Sequence, residues 1–180
     1  MKKLTILSLF SIILFSCSSN NNSTSVPSID NSVFFRTKYI LETPVDANGD
    51  GVFSIDLYDE LNCGADGLQF EPGAKVANPT FHGISLNVST DTNGNQIQSH
   101  GCGIGDGLLP TYQQVDDEVF LLYGEDIELV GSISANGNEI TFTIPREKLY
   151  SFGLAGGNIL NPDGTITNYQ GTAVVTYTRQ

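Results

Sequence analysis

Tryptophan is missing from this 180-residue chain, methionine occurs once, histidine twice and cysteine three times, and 8 Lys and Arg face 20 Asp and Glu. These shortages narrow the chemistry. A net charge of −12 with no basic cluster repels nucleic acid and anionic headgroups, so neither is an expected partner. His82 and His100 are the whole supply of imidazole for acid–base or metal chemistry. No apolar run reaches the roughly 20 residues that cross a bilayer as a helix. The run from Leu4 to Phe15 has 12 residues and is interrupted by Thr5, Ser8 and Ser11.

That run follows Lys2 and Lys3 and ends in Leu14-Phe15-Ser16-Cys17, the charged, apolar and cleavage-site order of a signal peptide. Leu-x-Ser-Cys resembles the lipobox of bacterial lipoproteins, although Phe15 is bulkier than the usual residue there. The resemblance implies removal of residues 1–16 and acylation of Cys17. Three acyl chains, at ~0.8 kcal/mol per buried methylene, would anchor the mature chain stably to a membrane. A plain secretory signal with a chance cysteine is the alternative. The mature chain keeps 6 basic against 20 acidic residues, a net charge of −14. Residues 17–31 read as lipidated cysteine plus disordered tether, since Ser18 to Ser28 offers almost nothing apolar. Residues 32–180 read as one domain. Ser18 differs from the aspartate that retains some lipoproteins at the inner membrane, and the tether lacks the acidic run that resembles a surface-export signal. The expected location is the cell envelope, lipid-anchored at the outer membrane and facing the periplasm.

Period-two alternation dominates the domain. His82, Ile84, Leu86 and Val88 share one strand face, with Gly83, Ser85 and Asn87 on the other. Ile127, Leu129, Gly131 and Ile133 alternate with Glu128, Val130 and Ser132, and Ile140, Phe142 and Ile144 alternate with Thr141 and Thr143. Asn136-Gly137 between the last two predicts a type I′ hairpin. Further strands are expected at 33–42, 67–71, 118–123, 166–169 and 172–179. Short helices fit Asp56 to Leu61, with Asp56 as N-cap, and Pro145 to Tyr150, with Pro145 in the first turn. With 19 glycines and 7 prolines punctuating the strands, the expected fold is all-β, an antiparallel barrel or β-sandwich with one or two short helices.

Asp46-Ala47-Asn48-Gly49-Asp50-Gly51 places oxygen ligands at positions 1, 3 and 5 of a calcium loop and glycine at 6, with the Val52 carbonyl at 7. The closing acid at 12 is absent, since Leu57 stands there and Asp56 sits one residue early, and Thr43-Pro44-Val45 allows no preceding helix. An EF-hand proper is excluded. The candidate calcium ligands are Asp46, Asn48, Asp50, Val52 and Asp56, against a turn whose side chains only bond their own backbone. The Asp-x-Asn-Gly-Asp-Gly loop, followed by Asp56-Leu57 and Cys63, resembles small envelope lipoproteins, many of them lipocalin-like. The resemblance covers residues 46–63 and implies a lipocalin-like barrel, although without tryptophan the lipocalin Gly-x-Trp signature is missing.

With Cys17 acylated, Cys63 and Cys102 remain, and an oxidising compartment makes a disulfide the expectation. It would contribute ~3 to 4 kcal/mol in the chain-entropy account. A zinc site from Cys63, His82, His100 and Cys102 is the alternative. Gly101 to Gly107 looks superficially like a phosphate loop, but Leu108-Leu109-Pro110 offers no helix start after it, and it reads as a flexible rim loop. Ser85 is not in a nucleophile elbow. No catalytic set is visible. The expected function is a membrane-anchored, non-catalytic binding or structural module that carries a small apolar ligand. The alternatives are a carboxylate-dependent hydrolase acting on polysaccharide and an assembly component that offers a strand edge to a protein partner.

Overall fold

The computed structural model describes residues 25–61, 63–64, 66–77, 81–105, 110–123 and 127–180. The signal-peptide and lipidation expectations, with Cys17, lie outside the described residues, as does the tether up to Thr24. Eight strands fall close to where the sequence places them, and five more, at 54–56, 75–77, 96–105, 111–115 and 154–160, were not expected. In chain order they are β1 (Ser32–Val45), β2 (Ser54–Asp56), β3 (Gly67–Glu71), β4 (Lys75–Ala77), β5 (Phe81–Thr90), β6 (Gln96–Gly105), β7 (Thr111–Val115), β8 (Glu118–Tyr123), β9 (Ile127–Ile133), β10 (Glu139–Ile144), β11 (Leu154–Leu160), β12 (Ile166–Asn168) and β13 (Ala173–Arg179), with one helical turn, α1 (Leu57–Glu60).

β1, β3, β4, β7, β8, β9, β10 and β13 form an antiparallel lipocalin-like barrel in which each strand pairs with the next and β13 closes onto β1. The choice between barrel and sandwich is thereby settled. Closure leaves these strands no bare edge, and β2 is a short addition beside β1. Buried Ile140, Phe142 and Ile144 alternate with Glu139, Thr141 and Thr143 on β10. Apolar side chains thus point inward, the reverse of a barrel that spans a bilayer.

The interior is packed with rings. Phe34 meets Phe70 edge-on at 5.6 Å, Phe70 meets Tyr112 at 4.9 Å, and Phe142 meets Tyr177 at 6.0 Å. β1 reaches this core through a bulge. Arg36 pairs with Tyr177 and Lys38 with Thr176, so Thr37 is the extra residue. One added residue reverses the alternation, and Phe34 and Arg36 before it face the same interior as Tyr39 and Leu41 after it.

β5, β6, β11 and β12 make a second sheet, with β11 parallel to β5. Its buried Ile84, Leu86, Leu154 and Ile159 join the same hydrophobic cluster as the barrel. β5 and β6 are inserted between β4 and β7, and β11 and β12 between β10 and β13. Neither hairpin has a partner sheet until the barrel brings the two insertions together.

Four expectations need correction. The Asn136-Gly137 hairpin exists, but Gly137 alone has positive φ, at 70°, and its N–H bonds the Ser134 carbonyl. That is a type I turn followed by a left-handed glycine, not type I′. Gly94 on Asp91 and Gly164 on Asn161 repeat the same turn. Gly101 to Gly105 is not a rim loop but the end of β6, paired from Gly101↔Ser85 to Gly105↔Phe81; glycines show no burial alternation to read. The second helix is two 3-10 turns, Arg146–Lys148 and Tyr150–Phe152, with Pro145 outside them. The tether yields at 25–31, where Ile29 is fully buried. Its N–H bonds Gln114 Oε1, and Gln114 Nε2 bonds the Pro27 carbonyl. Ile29, with Val26 packed beside the core and these bonds, docks the segment.

Gly131 marks one of the tight contacts of the barrel, since a Cβ there would lie 2.5 Å from the Phe142 ring. Gly131→Ala is therefore expected to destabilise the barrel by ~1 to 3 kcal/mol, read as a lower urea midpoint with an unchanged slope.

Candidate functional site

Up-and-down order sends the three long connections, 46–66, 78–110 and 145–172, out of the same end of the barrel. The short turns at 72–74, 116–117 and 134–138 close the other end, where residues 25–31 also dock: Tyr112 Oη bonds Asp30, and Arg179 Nη2 bonds the Ser28 carbonyl at 3.0 Å. The described chain therefore enters at one end and carries its elaborations at the other. A groove of about 810 Å³ beside the entering segment is lined by Asp30, Asp116 and Asp117 among others.

At the elaborated end lies a cleft of about 340 Å³. β1 supplies its floor, Arg36 and Tyr39; α1 and the following loop supply Leu57, Leu61 and Cys63; β5 supplies Ile84. Arg36 is 3% exposed and Tyr39 wholly buried. A guanidinium at that depth needs a counter-charge. Asp66 provides it, with Oδ2 at 3.2 Å from Nη1, and the Asp66 carbonyl accepts the Arg36 N–H at 2.8 Å. The guanidinium also lies over the Tyr39 ring, 5.5 Å from its centre. Burial pushes the Tyr39 hydroxyl well above its ordinary value against the opposing pull of Arg36, so it stays protonated. Arg36, Tyr39 and Asp66 were not among the sequence candidates. The readable signal was Arg36 two residues after Phe34, on the inward parity of an apolar strand.

The acidic hexapeptide forms the turn that was the alternative to a calcium loop, with its side chains bonding their own backbone. Asp46 Oδ1 and Oδ2 accept from the N–H groups of Asp50 and Gly51, Asn48 Oδ1 accepts from Asp50, and Asp50 Oδ1 accepts from Val52. Asp56 is not there. Its Oδ1 takes the N–H of Tyr58, capping α1, and the N–H of Tyr39 on β1. The third acid is Glu60, because α1 swings it back: oxygens of Asp46, Asp50 and Glu60 lie within 4.8 Å of one another. Burial raises the Glu60 carboxyl, the backbone of Asn48 pulls it down, and Asp50 and Asp46 raise it further. The sequence template failed because it assumed a continuous loop, whereas β2 intervenes.

Cys63 and Cys102 form the expected disulfide, 39 residues apart. It ties the connection after α1 to β6. His100 neighbours both sulfurs, but its Nδ1 donates to the Ala47 carbonyl at 2.9 Å, pinning the acidic loop to β6. The His82 side chain lies outside the described residues. Behind this wall, buried Gln98 donates to the carbonyls of Asn87 and Asn158 and accepts from the Leu160 N–H. One amide thereby holds three strands of the second sheet.

Protein-family models, curated proteins and solved structures give no match to the chain.

Reducing the disulfide, or Cys63→Ser with Cys102→Ser, is expected to cost ~3 to 4 kcal/mol of unfolding free energy. The measurement is denaturant unfolding of the oxidised and double-serine proteins.

Proposed function

We propose that the chain is a lipid-anchored, non-catalytic binding module of the cell envelope, which carries a small ligand at the elaborated end of its barrel. The carrying observation is the polarity of the fold. Residues 25–31 dock among the short turns, and the 340 Å³ cleft lies among the long connections at the other end. With acylated Cys17 eight residues before Ser25, such an anchor sits on the far side from the cleft and leaves its mouth toward the aqueous compartment. Ser18, on the lipoprotein resemblance, favours the outer membrane and its periplasmic face.

Cys17→Ala tests the anchoring. The parent is expected in the membrane fraction with the mass of an acylated mature chain, and the variant is expected without acyl mass. An acylated variant, or a parent without acyl groups, would count against the reading.

We further infer a structural calcium ion held by Asp46, Asn48, Asp50 and the Val52 carbonyl, with Glu60 as closing acid in place of Asp56. The support is three carboxylates that converge within 4.8 Å and whose like charges a cation would offset. Calcium at 100 times its dissociation constant should add ~2.7 kcal/mol to stability, seen as a higher melting temperature. Glu60→Gln should remove most of that gain, while Asp56→Asn should lower stability with and without calcium by weakening the α1 cap. Equal melting in calcium and chelator would exclude the ion.

A further inference from the structure

Two residues that line the cleft carry polar atoms with no partner among the described residues. Arg36 Nε and the Tyr39 hydroxyl oxygen are both buried without a hydrogen-bond partner among those residues, and both side chains border the same 340 Å³ space. Burying such a group unsatisfied is costly, and two such groups on one cavity point to an occupant that satisfies them.

Their chemistry specifies that occupant. Arg36 Nε–H only donates, so the occupant must present an acceptor oxygen. The Tyr39 hydroxyl donates or accepts, and so tolerates a carbonyl or a hydroxyl beside it. Charge excludes more. Asp66, 3.2 Å from Arg36, already balances the guanidinium, so an anion would enter as an uncompensated charge beside a carboxylate, and a cation would face the guanidinium without offering an acceptor. Above the floor, Leu57, Leu61 and Ile84 supply an apolar side to the lining, which Tyr58, Cys63 and Gly64 complete. A pocket with apolar walls and a few convergent polar groups is the usual form of a small-molecule site.

We propose that this cleft binds a small uncharged molecule whose apolar body lies against Leu57, Leu61 and Ile84 and whose carbonyl, amide or hydroxyl oxygen accepts from Arg36 Nε and meets the Tyr39 hydroxyl. The proposal rests on the binding-module reading and narrows its ligand from apolar to amphipathic and neutral. It also accounts for the unpaired atoms as groups held in readiness.

The test is titration of the purified ¹⁵N-labelled protein with three matched probes, hexanamide, hexanoate and hexylammonium, followed at the Arg36 Nε–H signal. Hexanamide is expected to shift that signal saturably and to bind at least about tenfold more tightly than either ion. Tyr39→Phe removes only the unpaired hydroxyl; it should weaken hexanamide by roughly three- to tenfold while leaving the unfolding midpoint unchanged or higher. A lower midpoint for Tyr39→Phe would make the hydroxyl structural and overturn the proposal. Tighter binding of either ion would overturn the neutral class and leave the binding-module reading standing. No saturable shift with any of the three would overturn the site itself and withdraw the cleft as support for that reading.

Discussion

Between Arg36 and Lys38 the register of β1 against β13 slips by one residue, and the elaborated end of the barrel hangs on that slip. Without Thr37 as the extra residue, an inward Arg36 would put Tyr39 on the outer wall, because neighbouring parities face opposite sides of a sheet. With it, a cation and a phenol share one interior surface. The consequences run outward from there. Arg36 holds Asp66 by an ion pair and a backbone bond, and the Tyr39 N–H holds Asp56, which caps α1. The connection from 46 to 66 is thus fastened to β1 near both the cleft and the acidic loop.

Fastening continues on the other side through the second sheet. The disulfide at Cys63, the His100 bond to Ala47 and the Gln98 bonds to β5 and β11 make one wall from three connections. The hydrogen bonds among these satisfy partly buried polar groups, so their loss would leave donors or acceptors orphaned. Those attachments explain how long connections, usually the mobile parts of a barrel, hold a cleft in one shape. The opposite end is built differently: tight turns, the docked Ile29 and edge-on ring contacts around Phe70 pack the barrel interior, and the groove there lies beside the entering segment. The cleft and the docked segment 25–31 therefore occupy separate ends with separate physical requirements.

What could be read from residues divides along the range of the forces involved. Alternation is local, and it located β3, β8 and β9 to the residue because each has one buried and one wet face. Where glycine interrupted the alternation, at Gly101 to Gly105, the strand was invisible although its ten-residue pairing with β5 is the longest in the fold. Asp46, Asn48 and Asp50 were recognisable because the turn that joins them spans six residues; Glu60 was not, because β2 and α1 carry it back. Ile29 looked like a stray residue in a tether, since nothing in its neighbours announces that Gln114 waits 85 residues away.

The sequence by itself determined the all-β class, most strand positions, the turn glycines, the acidic hexapeptide and the pair of cysteines left to bridge, since propensity, alternation and thiol arithmetic act over a few residues or none. Tertiary structure alone decided the closure of β13 onto β1, the merging of two separate insertions into one sheet, the replacement of Asp56 by Glu60, and the meeting of Arg36, Tyr39 and Asp66 in one cleft. Each of those depends on register and on contacts between segments far apart in the chain, and a single bulged residue reverses which side chains face inward.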